Sequence, residues 1–250
     1  YLAEITAQKK FLVTFNGKAF DVNLLSTRFI LNRLKSDLVN LPHLDLLHPS
    51  RRILGHRLEN SRLGTLEVEV LGVFREGDIP GWEIPQRYFD WLKQRDGRLL
   101  ESIFEHNKID VISMATLTAH LTEILCAKQE VQNSHADDYL AAARLLFKRR
   151  DTERAGKILE VFDEQQTDAQ LSVISKKELS FLYKRTGRWE QATQIWQGLL
   201  EITPADFSAV SEMAKWLEHH ARDYHAAKIL VESALSQNNG FSQDEKESLA

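Results

Sequence analysis

The sequence predicts an α/β domain followed by an all-α domain. Residues 11–47 have the order strand, turn, helix, strand, whereas residues 136–236 have helical spacing and no strand pattern. The length of 250 residues allows one large domain or two of ordinary size, because a single hydrophobic core seldom grows further. The predicted boundaries are 1–127 for the first domain, 128–137 for a polar linker and 138–250 for the second domain.

Composition excludes several classes of protein. With 43% hydrophobic and 27% charged residues, the chain is neither disordered nor of low complexity. It has no apolar run of the length that spans a bilayer, so no membrane contact is expected. Cys126 is the single cysteine, which excludes an intrachain disulfide and a cysteine-based zinc site and makes the cytoplasm the expected location.

The elements of the first domain can be assigned in order. The apolar run 11–15 predicts a buried strand that ends at the turn residues Asn16-Gly17. Apolar residues at helical spacing predict a helix over 20–34, and 43–47 predicts a second strand. From there to Ala127 the pattern is mainly helical, and a loop rich in Gly and Pro interrupts it at 77–85.

The second domain contains a repeat. Small residues recur at Ala155, Ala192 and Ala227, with spacings of 37 and 35 residues, and Trp189 and Tyr224 precede the last two. This pattern resembles the tetratricopeptide repeat, whose paired helices stack and dock a protein partner. The resemblance predicts that the alanines lie buried between antiparallel helices, with the two aromatic side chains packed across each pair.

Three groups of polar residues are candidates for a functional site. Asp21 follows a strand at the carboxyl edge of the predicted sheet, where it can hold a divalent cation or cap the helix. His106 and Asp110 lie four residues apart on one helix face, as a structural pair or as part of a site. A local basic patch that is either a binding surface or an ordinary solvated face contains Arg51, Arg52, Arg57 and Arg62.

Five segments in order resemble a known family. They are FNGKAFD, LPHLDLLHPSRR, TLEVEVLG, DIPGWEIPQRYFDW and FEHNKIDV, and the resemblance that they carry covers roughly residues 10–125. They resemble the YprB type of ribonuclease H-like domain, a relative of 3′-to-5′ exonucleases that use four metal-binding carboxylates. The resemblance implies a partial ribonuclease H-like sheet domain and hydrolysis of a nucleic acid, with a single-stranded 3′ end as the expected substrate.

The resemblance also implies residue roles. Asp21 and Asp110 would be ligands of two Mg²⁺ or Mn²⁺ ions, which suit oxygen ligands. His106 would orient or deprotonate the attacking water. Asn16 would position the substrate end or support the loop that carries Asp21, and Asp45 would have a supporting or structural role. Phosphate contacts would come from Arg51 and Arg52.

One departure from the family pattern is large. The family's first motif, an Asp-x-Glu on the opening strand, supplies two of the four carboxylates, and the residues before Phe11 do not contain it. We therefore expect the chain to be a segment that lacks the first strands of the sheet, and to degrade nucleic acid slowly or not at all. The alternative is a non-catalytic adaptor in which the nuclease-like domain is vestigial and the helical repeats bind the partner.

Overall fold

The chain divides into two compact units, Tyr1–Leu145 and Leu146–Ala250. The structure is a computed structural model that describes residues 2–35, 38–165, 173–237, 242–244 and 247. Within these ranges, no helix has both the length and the apolar character that a membrane crossing requires.

The first unit contains the predicted sheet in a short form. Strands β1 (Leu12–Thr14) and β2 (His43–Asp45) pair in parallel, with Leu12 opposite His43 and Thr14 opposite Asp45. Both strands are shorter than their apolar patterns because each pairs for only three residues. The remaining helices of this unit are α1 (Leu2–Ala7), α2 (Asp21–Leu31), a 3₁₀ turn (Leu38–Asn40), α3 (Leu47–Ile53), α4 (Leu63–Leu66), a π-helical turn (Glu67–Leu71), a 3₁₀ turn (Gly81–Glu83), α5 (Ile84–Gln94), α6 (Arg98–Leu125) and α7 (Ala136–Lys148).

The turn after β1 is fixed by its backbone. Asn16 has a φ of 63°, a left-handed conformation that asparagine tolerates better than most residues. At Gly17 a Cβ would lie 2.5 Å from the Cβ of Thr14, so only glycine fits without a shift. The chain therefore turns sharply and α2 begins at Asp21, the predicted helix start.

The core of the first unit is formed against one face of α6. Leu117, Leu121 and Ile124 on one face of this helix are buried, as are Ile53 and Leu54 at the end of α3. The π-helical turn adds Glu67 and Val70, which are 1% exposed each. A buried glutamate needs a partner, and its partner belongs to the candidate site below.

The predicted linker 128–137 lies inside the first unit. Asn133 Nδ2 donates to the backbone oxygen of Val70 at 3.0 Å, and the Tyr139 hydroxyl donates to that of Lys128 at 2.8 Å. Asp138 is completely buried and accepts both Nε and Nη2 of Arg57 at 3.0 Å. These contacts tie the polar segment to the first unit, so the boundary between units comes later than the sequence predicted.

The second unit is helical throughout its described residues. Its helices are α8 (Thr152–Gln165), α9 (Val173–Arg185), α10 (Trp189–Ile202), α11 (Phe207–Trp216), a π-helical turn (Leu217–Ala221) and α12 (Tyr224–Gln237). Ala155, Ala192 and Ala227 are all buried. The Trp189 ring lies 3.9 Å from that of His220, between ring centroids, but Tyr224 is 67% exposed, so its predicted packing is wrong. Tyr224 is the first residue of α12, where its ring faces solvent.

Candidate functional site

A cavity of about 750 Å³ in the first unit gathers residues from distant parts of the sequence. The end of β1 and the start of α2 contribute Thr14 and Asp21, and α6 contributes His106 and Asp110. The loops before α4 and α5 supply the charged residues Arg62, Arg75 and Asp78. The structure thus brings Asp21, His106 and Asp110 to one cavity.

Asp21 occupies the first turn of α2. The capping position before it belongs to Phe20, and no side chain caps this helix. Asp21 therefore does not act as the helix cap that its position in the sequence allowed, although its charge suits a helix N-terminus. Its side chain is exposed and makes no hydrogen bond or ion pair within the described part of the chain. The carboxylate is available to a ligand in the cavity.

Asp110 is held by an arginine that the sequence did not indicate. Arg75 Nη2 lies 2.5 Å from Asp110 Oδ1, and the same guanidinium group binds Glu67 at 2.5 and 2.6 Å. Its Nη1 donates to Asp78 Oδ2 at 2.9 Å. The hydrogen bonds that Arg75 donates to Glu67, followed by those to Asp78 and Asp110, raise the pKa of Arg75 above its ordinary value despite burial.

These contacts leave the cluster negatively charged. Glu67, Asp78 and Asp110 place three carboxylates around the single guanidinium group of Arg75. Asp21 adds another carboxylate to the cavity that Asp78 and Asp110 line. Carboxylates that outnumber their cations repel one another unless another positive charge is present. The cavity therefore favours a bound cation near Asp110.

His106 is oriented by Asp78. Its Nδ1 lies 2.8 Å from Asp78 Oδ2, and its Nε2 lies 3.6 Å from Asp110 Oδ2. Nδ1 is also 3.3 Å from Arg75 Nη1, but a nitrogen that donates to Asp78 cannot accept from Arg75. We assign the proton to Nδ1 because the contact with Asp78 is shorter, which leaves the lone pair on Nε2 beside Asp110.

Asp78 stays ionised over a wide pH range. Burial raises its pKa, but the hydrogen bonds from Arg75 and His106 outweigh burial and lower the pKa below its ordinary value. Its side chain is 13% exposed and also accepts the backbone N–H of Ile79 at 2.8 Å. Asp78 is therefore a fixed anion that holds the imidazole in place.

Asn16 and Asp45 support the loop before Asp21 and are not among the residues that line the cavity. Asp45 is 4% exposed and accepts the backbone N–H groups of Asn16 at 2.7 Å, Lys18 at 3.0 Å and Leu47 at 3.2 Å. Burial raises the pKa of Asp45, and the three backbone hydrogen bonds lower it further than burial raises it. Asp45 therefore joins the ends of both strands, and Asn16 contributes through its backbone.

Arg51 and Arg52 lie elsewhere. Both are exposed in the last turn of α3, and neither lines the cavity. Arg57 from the same basic segment is paired with Asp138, and Arg62 is the member that reaches the cavity. Arg51 and Arg52 are therefore not among the residues that this cavity brings together, and their role as phosphate contacts stays a prediction.

The sequence analysis missed Glu67, Arg75 and Asp78. Glu67 stands in the apolar segment TLEVEVLG, and an acid among residues that pack in a core indicates a buried partner. Arg75 and Asp78 have an i, i+3 spacing at the start of the Gly- and Pro-rich loop. These features were visible, but the sequence does not reveal that Arg75 joins both acids to Asp110.

The donor chemistry of the cavity fits a hard divalent cation. Carboxylate oxygens are the ligands that Mg²⁺ and Mn²⁺ prefer, and Asp21 and Asp110 present them beside excess negative charge. Over the described residues, however, no group of three or more His, Cys, Asp or Glu side chains is placed to hold a metal ion. The carboxylates of the cavity are therefore suitable ligands for such an ion, but they are few.

Comparisons with known proteins agree with the family resemblance. Residues 1–122 match the model of the RNase H superfamily, a range that contains all residues of the cavity. The chain is 35% identical over 243 residues to the uncharacterized protein YprB of Bacillus subtilis (strain 168). The match covers 95% of this chain and 58% of that relative, so the chain spans less than two thirds of the relative's length. No solved structure matches the chain.

Proposed function

We propose that the protein hydrolyses phosphodiester bonds in nucleic acid as a metal-dependent 3′-to-5′ exonuclease, and the premise is that residues 1–122 match the model of the RNase H superfamily. The observation that carries the proposal is the meeting of Asp21, His106 and Asp110 in one cavity. An oriented histidine beside two carboxylates is the arrangement that general-base hydrolysis of a phosphate ester needs.

In this proposal each side chain has a separate task. Asp21 and Asp110 hold Mg²⁺ or Mn²⁺, and two such ions, when bound, activate water and stabilise the leaving oxygen. His106 Nε2 accepts the proton of the attacking water, while Asp78 keeps the proton on Nδ1. Arg75 fixes Asp110 and Asp78 relative to each other through its shared guanidinium group.

The adaptor is a second candidate function, and one observation favours it. Within the described ranges, the cavity lacks a group of three ligands for a metal ion, so this half of the site binds cations weakly if it acts alone. In this candidate, the second unit binds a protein partner through tetratricopeptide-like repeats. The burial of Ala155, Ala192 and Ala227 supports the repeat alignment, and the single cysteine supports a cytoplasmic location.

Calorimetric titration with Mn²⁺ tests the metal site without depending on catalysis. We expect Asp21→Asn and Asp110→Asn to weaken binding about tenfold or more, because each variant removes a ligand charge. Asp137→Asn removes an exposed acid in the first turn of α7 and serves as the matched control. Equal Mn²⁺ affinity in the parent and all three variants would show that neither Asp21 nor Asp110 is a metal ligand.

Cleavage is tested on a single strand labelled at its 3′ end. The assay uses the chain together with whatever sequence its gene encodes on either side, with Mg²⁺ or Mn²⁺ present. We expect Asp110→Asn to abolish loss of the label, and His106→Ala to slow it while Mn²⁺ affinity is largely kept. Full activity in Asp110→Asn, or no metal-dependent loss of label, would contradict the nuclease proposal and favour the adaptor.

The repeat alignment is tested by overpacking. Ala192 is completely buried in α10, so Ala192→Leu should lower the free energy of unfolding by roughly 1–3 kcal/mol. Exposed Gln194 in the same helix provides the control Gln194→Leu, which should change the free energy of unfolding by at most about 0.5 kcal/mol. An unchanged melting temperature in Ala192→Leu would refute the alignment.

A further inference from the structure

Arg62 differs from the other arginine that lines the cavity. Arg75 is surrounded by three carboxylates, and only 15% of its side chain is exposed. Arg62 is exposed, and its guanidinium group makes no hydrogen bond or ion pair with any described residue. The positive charge of Arg62 is therefore not paired with a described side chain, whereas Arg75 is paired with carboxylates.

The backbone holds Arg62 at this place. Its N–H group donates to Asn60 Oδ1 at 3.0 Å, and the same oxygen accepts the hydroxyl of Thr65 at 2.8 Å. Leu63 and Gly64, which follow it, also line the cavity. A Cβ built on Gly64 would meet no atom within 4 Å, so the wall next to Arg62 is open. The fixed backbone and the open space leave room for a ligand at the guanidinium group.

We propose that Arg62 binds a backbone phosphate of the nucleic-acid strand whose scissile bond lies beside Asp21 and Asp110. The planar guanidinium group presents paired N–H donors that match two phosphate oxygens. Phosphate is repelled by the three carboxylates that line the cavity, so an unpaired cation on its wall decides where the strand can approach. This assignment rests on the proposed nuclease function, and it replaces Arg51 and Arg52 as the phosphate contacts.

The test measures binding without cleavage. A fluorescent single strand is titrated with the full 250-residue chain in Ca²⁺, and anisotropy gives the dissociation constant at several salt concentrations. We expect Arg62→Gln to weaken binding about tenfold and to reduce the slope of log Kd against log salt by about 0.7, the value of one lost phosphate contact. Arg62→Lys should recover part of the affinity, because it keeps the charge and loses the paired donors.

Arg51→Gln and Arg52→Gln are matched controls from the same basic segment. They remove one exposed positive charge each and lie outside the cavity, so Kd should change less than twofold. Thermal melts of all variants check folding, which Arg62 is not expected to affect since its side chain has no described partner. If the parent binds and Arg62→Gln binds equally well, the role of Arg62 is refuted while the nuclease proposal stands. If the parent binds no nucleic acid at all, both proposals fail.

Discussion

Arg57 and Arg75 both hold buried carboxylates in the first unit, and their charge balance is opposite. Arg57 makes a two-point contact with Asp138, which is fully buried and also accepts the backbone N–H of His135 at 2.9 Å. Arg75 faces three carboxylates, and two of them border an open cavity. One positive charge meets one negative charge at Arg57, whereas the cluster at Arg75 retains excess negative charge.

The difference separates a structural ion pair from a candidate site. A balanced pair with its hydrogen bonds satisfied has nothing left to offer a ligand, and its removal should affect only stability. An unbalanced cluster carries a free-energy cost that a cation can relieve, which is typical of binding sites. Substitutions at the two clusters test whether Arg57 acts only on stability and Arg75 belongs to a cation-binding site.

The largest expected effect is on the balanced pair. Arg57→Met leaves the charge of Asp138 buried with no guanidinium partner, and it should lower the free energy of unfolding by about 3–5 kcal/mol. Urea unfolding followed by circular dichroism measures this loss. Mn²⁺ should stabilise Arg57→Met only as much as it stabilises the parent, so the difference between the two proteins should remain. Adding Asp138→Asn should recover a part, since the second change removes the stranded charge. A loss below about 1 kcal/mol would show that the pair does not hold the unit together.

A smaller loss of stability is expected at Arg75. Arg75→Met strands Glu67, which is 1% exposed, but solvent in the cavity reaches Asp110, so about 2–3 kcal/mol should be lost. Here Mn²⁺ should stabilise the variant more than it stabilises the parent, because removal of the guanidinium group leaves more unpaired negative charge for the ion. The gain is about 2.7 kcal/mol at a concentration one hundred times the dissociation constant. The same unfolding measurement with and without Mn²⁺ checks this. If Mn²⁺ raised the unfolding free energy of the Arg57 and Arg75 variants equally, the two clusters would not differ in the proposed way.

Removing one excess charge should have a modest stabilising effect. Asp110→Asn keeps an acceptor for Arg75 and reduces repulsion with Asp78, so the metal-free protein should gain up to about 1 kcal/mol in unfolding free energy. The stabilisation of the parent by Mn²⁺ should disappear in this variant. A destabilised Asp110→Asn protein would mean that the cluster is a structural network like that of Arg57.

The smallest effect concerns pH. The pKa of Asp78 is lower in the folded protein than its ordinary value, so its contribution to stability is complete above about pH 4 and is lost as pH falls through the folded pKa. Between pH 5 and pH 2 the parent should therefore lose more stability than Asp78→Asn, in which the group does not titrate. Parallel curves of unfolding free energy against pH would indicate that Asp78 is not held as a fixed anion.

The local structure around the candidate site could be predicted from the sequence. The turn at Asn16-Gly17 and the helix start at Asp21 follow from short-range chemistry, and both lie where the sequence indicated. Arg51, Arg52 and Arg62 looked equivalent in the sequence, because charge patterning does not tell which side chain turns toward a cavity. The polar segment 128–137 looked like a linker because its buried partners, Arg57 and Val70, lie more than sixty residues away.

The sequence by itself determined the two short strands, the helical second half and the helix spacing that brings His106 toward Asp110. These features depend on contacts between near neighbours or on the periodicity of a single element. Only the tertiary structure decided that Arg75 joins Glu67, Asp78 and Asp110, and that Arg62 remains unpaired beside them in the part of the chain described. Charge balance is a property of groups that meet in space, so it is fixed by how the helices pack and not by the order of residues along the chain.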